Sequence, residues 1–144
     1  MEDIFAIDFY HTVVRNSLLN DGWTITNDPL RLILEGRDVF VDFGAERIIA
    51  AEKGVEKIAV EVKSFRSASP VADLEAAVGQ YTIYEDVLSL VEPERTLYLA
   101  IPMEAYEGIF AEQIGKLVLE RRIHRAFCYH TEREEITKWI NYKP

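Results

Sequence analysis

The pattern that most constrains this chain is a strand, a long helix and a second strand in succession. From Ile58 to Val62 the residues alternate as in a half-buried strand. Ile58, Val60 and Val62 take one face, and Ala59, Glu61 and Lys63 the other. Ser69-Pro70 then starts a helix, with Ser69 as N-cap and Pro70 at the first helical position. The stripe Val71, Leu74, Val78, Tyr81 and Leu88 carries that helix to Val91, and Glu92-Pro93-Glu94 ends it. Leu97 to Ile101 is an unbroken apolar run bounded by Pro102, which reads as a buried strand. Two strands joined through a long helix imply a parallel pair and a right-handed crossover.

The remaining elements extend this unit. Asp8 to Asn20 has helical spacing, with Phe9, Val13, Ser17 and Tyr10, Val14, Leu18 as its apolar stripe, Asp8 as the cap and Gly22 past the end. Trp23–Thr26 and Leu30–Leu34 are strand candidates, separated by Asn27-Asp28-Pro29, and Glu35-Gly36 is a turn. Val39 to Phe43 reads as one further strand, Glu46–Ala51 as its extension or another, and Lys53–Glu56 as a turn. Glu104–Phe110 and Ile114–Leu119 read as short helical pieces. Ile123 to Tyr129 alternates, with Ile123, Phe127 and Tyr129 on one face, and Thr131 with Glu134 forms a capping box for a last helix carrying Ile136, Trp139 and Ile140. The expected fold is a single α/β domain over residues 1–144, a mixed central sheet flanked by helices.

Composition bounds what such a domain does. No apolar run approaches the roughly 20 residues of a bilayer span, and Met1-Glu2-Asp3 is acidic, unlike a signal peptide. Cys128 is alone, so no intramolecular disulfide forms; a cytoplasmic location is the expectation. The net charge of −9 argues against tight, autonomous DNA binding, which draws on Lys and Arg. The densest basic run, Lys116 to Arg125, reads as a solvated helix end and strand start.

Charges in apolar strands point to chemistry. Asp42 near the end of one strand and Glu61 on its neighbour would make a hard oxygen site for Mg²⁺ or Mn²⁺, with the backbone carbonyl of Val62 as a further ligand. Lys63, on the same side as Glu61, would orient the attacking water and stabilise charge developing on a phosphate. This spacing resembles the Asp…Glu-x-Lys signature of the PD-(D/E)XK, restriction-endonuclease-like superfamily, over roughly Asp8 to Ile101. Gln80 and Tyr84 share a helix face and resemble the Gln-x-x-x-Tyr element of RecB-type members, where the glutamine leans on the metal site. The ordinary alternative is a surface ion pair of Glu61 with Lys63, a turn at Asp42 and a solvated Gln80.

At finer grain the chain resembles the XisH family, the fdxN-element excision controlling factors of cyanobacteria. The resemblance rests on Asp21 to Leu30, Val41 to Arg47, Lys57 to Phe65, Gly79-Gln80-Tyr81, Leu97 to Ala100 and Tyr106 to Phe110. It implies a role in programmed excision of a DNA element, beside a site-specific recombinase and a second small factor, XisI. Several Asp…Glu-x-Lys nucleases add a glutamate from the first helix; here that helix offers Asp8, His11 and Arg15. His11 is a candidate helper or a structural residue, and Glu46 and Glu52 are rival carboxylates, Glu46 only if the chain bends at Gly44-Ala45. His124, Cys128 and His130 lack the paired spacings of structural zinc. Two functions remain open: an excision factor with a metal-dependent phosphodiester-cleaving site, and a non-catalytic module that recruits a partner factor or recombinase. A homodimer through an antiparallel edge is open as well.

Overall fold

The computed structural model describes residues 4–49 and 54–142, with side chains from residue 8 onward. Helix α1 spans Ile4–Asn20. Four strands follow: β1 (Thr24–Asn27), β2 (Leu30–Leu34), β3 (Arg37–Val41) and β4 (Phe43–Ile49). Then come β5 (Gly54–Val62), α2 (Pro70–Val91) and β6 (Arg95–Pro102). Short α3 (Met103–Glu107), a 3-10 turn at Ile109–Ala111 and α4 (Gln113–Arg121) lead to β7 (Arg125–His130) and β8 (Glu135–Asn141). The main sheet has six strands in the order β1-β4-β5-β6-β7-β8, while β2 and β3 form a separate two-stranded sheet. Pairs β5–β6 and β6–β7 are parallel and the others antiparallel. The strand, helix and parallel strand expected from the sequence are therefore present. Among the described residues no helix is long and apolar enough to cross a membrane.

Alternation along the central strands divides the core between the two sheet faces. Ile58, Val60, Tyr98, Ala100, Phe127 and Tyr129 pack under α1, against Val13, Val14 and Leu18. Ala59, Leu97, Leu99, Ile101, Ala126 and Cys128 pack under α2 and the β2–β3 hairpin, against Leu74, Tyr81, Leu30 and Leu32. Ser69 caps α2 as expected, its Oγ accepting from the Ala72 N–H at 3.2 Å. Gly22 follows α1 with φ +93°, a conformation that glycine adopts without steric cost.

Several local expectations are corrected. Val39 to Phe43 is not one strand: β3 stops at Val41, pairing only with β2, and β4 starts at Phe43 in the other sheet. Gly54 to Glu56 open β5 rather than a turn; Ala51, Glu52 and Lys53 lie outside the described residues. Asp8 sits inside α1 instead of capping it, and Phe9 and Val71 are exposed rather than in the core. Ile123 precedes β7 and packs on the α2 face, opposite to Phe127 and Tyr129.

The largest correction is the last helix, which is strand β8. Thr131 does not cap: its Oγ1 donates to Glu104 at 3.2 Å, and Glu134 adopts φ +53°. Without β8, one edge of β7 would leave its N–H and C=O groups unpaired over a buried stretch. Ile136, Thr137, Trp139 and Ile140 are good strand residues, and the Trp139 ring lies 5.0 Å from those of Tyr98 and Phe127. Pairing and packing here outweigh a local capping signal.

Candidate active site

The site is built where the two sheets part. The β4–β5 ladder ends at Phe43 opposite Val60. One residue earlier the chain leaves for β3, so a ladder partner is missing for the next stretch of β5. Asp42, at that break, fills the gap: its Oδ2 accepts from the Val62 N–H at 2.8 Å. Glu61 answers from β5, its Oε1 accepting from the Asp42 N–H at 3.3 Å. The two carboxylates are thus tied to each other's backbone. Lys63 Nζ stands 3.6 Å from Glu61 Oε2.

Glu61 is 7% exposed, unusual for a carboxylate facing another one. Burial first, then the negative charge of Asp42, push its carboxyl up to about 8, against the opposing pull of Lys63. The Tyr84 phenol is pushed up to about 12, by burial and then by the charges of Glu61 and Asp42. Tyr84 of α2 therefore feels both carboxylates. Gln80 lies one turn earlier on the same helix face, half-buried, and its Oε1 has no hydrogen-bond donor among the described residues.

From the other side α1 contributes His11. Its ring stacks on Phe43 with centroids 4.2 Å apart, and its Nε2 is 2.7 Å from Asp28 Oδ1. Nδ1 is turned toward Asp42 Oδ1 at 3.9 Å. His11, Asp42, Glu61, Val62 and Lys63 line a common cavity of about 170 Å³, with Tyr10 and Ser64 completing it.

Asp42, Glu61, Val62 and Lys63 thus converge at the C-terminal end of β5, the end where open α/β sheets place ligands. His11 joins them. Glu46 does not: the chain stays straight through Gly44-Ala45, and Glu46 pairs with Lys57 at 3.6 Å, opposite it on β5. Among the described residues no three His, Cys, Asp or Glu side chains cluster as a metal site. The hard-oxygen donors present are two carboxylates and the backbone of Val62. Cys128 is buried beneath α2, with its thiol pushed up to about 12 by burial.

Sequence reasoning missed Asp28, which anchors His11, because Asn27-Asp28-Pro29 has the composition of a plain turn. It also missed Tyr10 and Ser64. Tyr10 belongs to a helical apolar stripe, and the only sign that Ser64 matters is its place directly after Lys63.

The profile of the XisH protein family matches residues 4–137. None of the curated proteins matches the chain. Two solved structures are similar over nearly the whole length. One is an XisH family protein from Nostoc punctiforme PCC 73102, with TM-score 0.83 and 39% identity, covering 93% of this chain and 100% of that one. The other is an fdxN element excision controlling factor protein from Anabaena variabilis, with TM-score 0.82 and 38% identity, covering 93% of this chain and 99% of that one. With agreement this long in both sequence and fold, the chain belongs to the XisH family.

Proposed function

We propose that this protein is an accessory factor controlling site-specific excision of a DNA element, and that its site cleaves phosphodiesters with the help of Mg²⁺ or Mn²⁺ on a nuclease-like, PD-(D/E)XK-type fold. The relative from Anabaena variabilis is described as an fdxN element excision controlling factor, which supports the process. The chemistry is carried by one observation: two carboxylates and an ammonium group meet at the break between the sheets.

The donor set fits a hard divalent cation. Mg²⁺ commonly binds through one or two carboxylates plus substrate phosphate and water. Burial first, and then the charge of Asp42, raises the Glu61 carboxyl, and Lys63 offsets only part of this. Asp42 and Glu61 would hold the ion, with the carbonyl of Val62, which leaves the strand on the same edge as its N–H. The ion would supply Lewis-acid polarisation of a phosphoryl oxygen.

The chain's own residues do the rest. The Val62 N–H fixes the Asp42 carboxylate. Lys63, held near Glu61, places a positive charge where a phosphate gains negative charge, and orients the attacking water. On the α2 side Tyr84 is near enough to feel both carboxylates, and Gln80, one turn earlier, keeps a buried Oε1 with no donor among the described residues. His11, fixed by Asp28 and Phe43, closes the α1 side.

The experiment is cleavage of supercoiled and branched DNA by the purified protein with Mg²⁺ or Mn²⁺, alongside thermal shift with each ion. Cleavage lost in Asp42→Ala and Glu61→Ala, with a metal-dependent rise in Tm only in the wild type, is the expected result. No metal response and no cleavage would leave the second reading. In that reading the domain is a non-catalytic module that recruits an XisI-like small factor or a site-specific recombinase. One observation favours it: the net charge of −9, which a partner with a basic surface would relieve. Co-purification with an XisI-like factor, unchanged in Asp42→Ala, is its signature.

A further inference from the structure

A second cavity, of about 190 Å³, adjoins the one at the carboxylates: it shares Tyr10 and Ser64 with it and is lined further by Arg66, Pro102 and Glu104. Asp42, Glu61 and Lys63 thus lie on one side of the shared walls and Arg66 on the other.

The backbone between them is strained. Phe65 has φ +55°, left-handed space that a bulky side chain enters at a cost of about 1–3 kcal/mol. Such a conformation persists only where its surroundings over-determine it. On one side the Phe65 ring is locked edge-on to Phe110, with centroids 5.0 Å apart. On the other, Arg66 Nη1 donates to the Tyr10 hydroxyl at 3.1 Å.

Arg66 is exposed and, among the described residues, makes no ion pair. Its hydrogen bond goes to a phenol, which positions the guanidinium, and the nearest carboxylate that acts on it, Glu104, makes no ion pair with it. The planar fork suits a phosphate, which it can grip through two parallel bonds. Lys63 and Arg66 lie no more than roughly 11 Å apart along the backbone, so one nucleic-acid strand can meet both. Glu104 on the far wall, held by Thr131 at 3.2 Å, repels an anion placed deeper. The second cavity therefore offers an anion a place beside Arg66 and short of Glu104.

We propose that Arg66, braced by Tyr10, binds the backbone phosphate next to the one at the Asp42–Glu61–Lys63 site and so sets the register of the DNA strand. The inference rests on the phosphodiester reading of that site, but its test does not need turnover.

The test is fluorescence anisotropy with a short fluorescein-labelled DNA duplex in metal-free buffer, over a range of salt. Arg66→Ala weakens binding about 5- to 10-fold and flattens the slope of log K against log salt by about 1. Arg66→Lys keeps the slope, because the charge remains. Tyr10→Phe weakens binding about twofold, and Glu104→Gln strengthens it, a change of opposite sign that loss of fold does not mimic. Unchanged affinity and slope in Arg66→Ala, or no binding of the duplex by the wild type, overturns the subsite. A slope lost with Arg66, from a protein that cleaves nothing with Mg²⁺ or Mn²⁺, supports the subsite and removes the catalytic reading instead. Cleavage that needs Asp42 but ignores Arg66 removes the subsite alone.

Discussion

Strand β5 carries two polar clusters, built on opposite principles. Beside its middle, Arg95, 7% exposed at its side chain, donates three hydrogen bonds. Its guanidinium donates to Glu92 Oε1 at 2.7 Å, to the Ile58 carbonyl at 3.0 Å and to Asn27 Oδ1 at 3.2 Å. Charge is matched by charge, and every bond ties one element to another: β6 to β5, to β1 and to the end of α2. At the C-terminal end, Asp42 and Glu61 face each other with one ammonium group beside Glu61, and Glu61 is driven toward its neutral form. A buried charge that exists for the fold is paired. A like-charged pair held together by backbone bonds is costly to the fold, and that mismatch is the mark of a site made for something else.

The contrast can be broken at either cluster. The largest effect is expected from Arg95→Leu, which strands Glu92, Asn27 and the Ile58 carbonyl. It should destabilise the protein by about 3 kcal/mol in urea unfolding, with no ion dependence. A result near zero would mean that the Arg95 cluster is not the brace described here.

Next comes Glu61→Gln. A carboxyl whose folded pKa lies above its ordinary 4.5 binds its proton more tightly in the folded state. Its contribution therefore favours folding at low pH and is lost as pH rises from about 4.5 through about 8. Glu61→Gln removes that loss, so the variant should gain on the wild type by on the order of 2 kcal/mol at pH 8 and little at pH 4. Stability curves at the two pH values check this. Equal curves would show that the two carboxylates coexist charged without penalty. Mg²⁺ or Mn²⁺ should restore wild-type stability at pH 8 and leave Glu61→Gln unmoved.

The smallest effect returns to the braced cluster. A Cβ at Gly44 would sit 2.7 Å from Asn27 Oδ1 and 3.2 Å from Arg95 Nη1. Gly44→Ala should cost about 1 kcal/mol by pushing the Asn27 amide off Arg95. An Asn27→Ala background should absorb most of that cost; if it does not, the close approach is not what Gly44 serves.

Much of this arrangement was legible in the residues. The placing of Glu61 and Lys63 on one side follows from period-2 alternation, and Asp42, directly before β4, is brought near Glu61 by the pairing of β4 with β5. The α2 start is written in Ser69-Pro70. The readings that failed have a common cause: they were local. Thr131 and Glu134 carry the composition of a helix start, but β7 needed a partner edge, and Trp139 had an aromatic cluster to join. Val39 to Phe43 is apolar throughout apart from Asp42, so nothing in its composition marks the exchange of one sheet for another. Asp28 reaches His11 across 17 positions of sequence, a distance at which a turn-like tripeptide carries no signal.

Periodicity and near neighbours are enough to place the alternating strands and the parallel crossover and to pick out the acidic pair. That Asp42 lies at the break between two sheets, that its carboxylate takes the place of a ladder bond to Val62, and that Arg66 reaches across to Tyr10 are outcomes of packing. The physical reason is that backbone groups left without partners must be satisfied from wherever the packed chain brings a donor or acceptor. That choice is settled by the whole fold, after the strands have found their order.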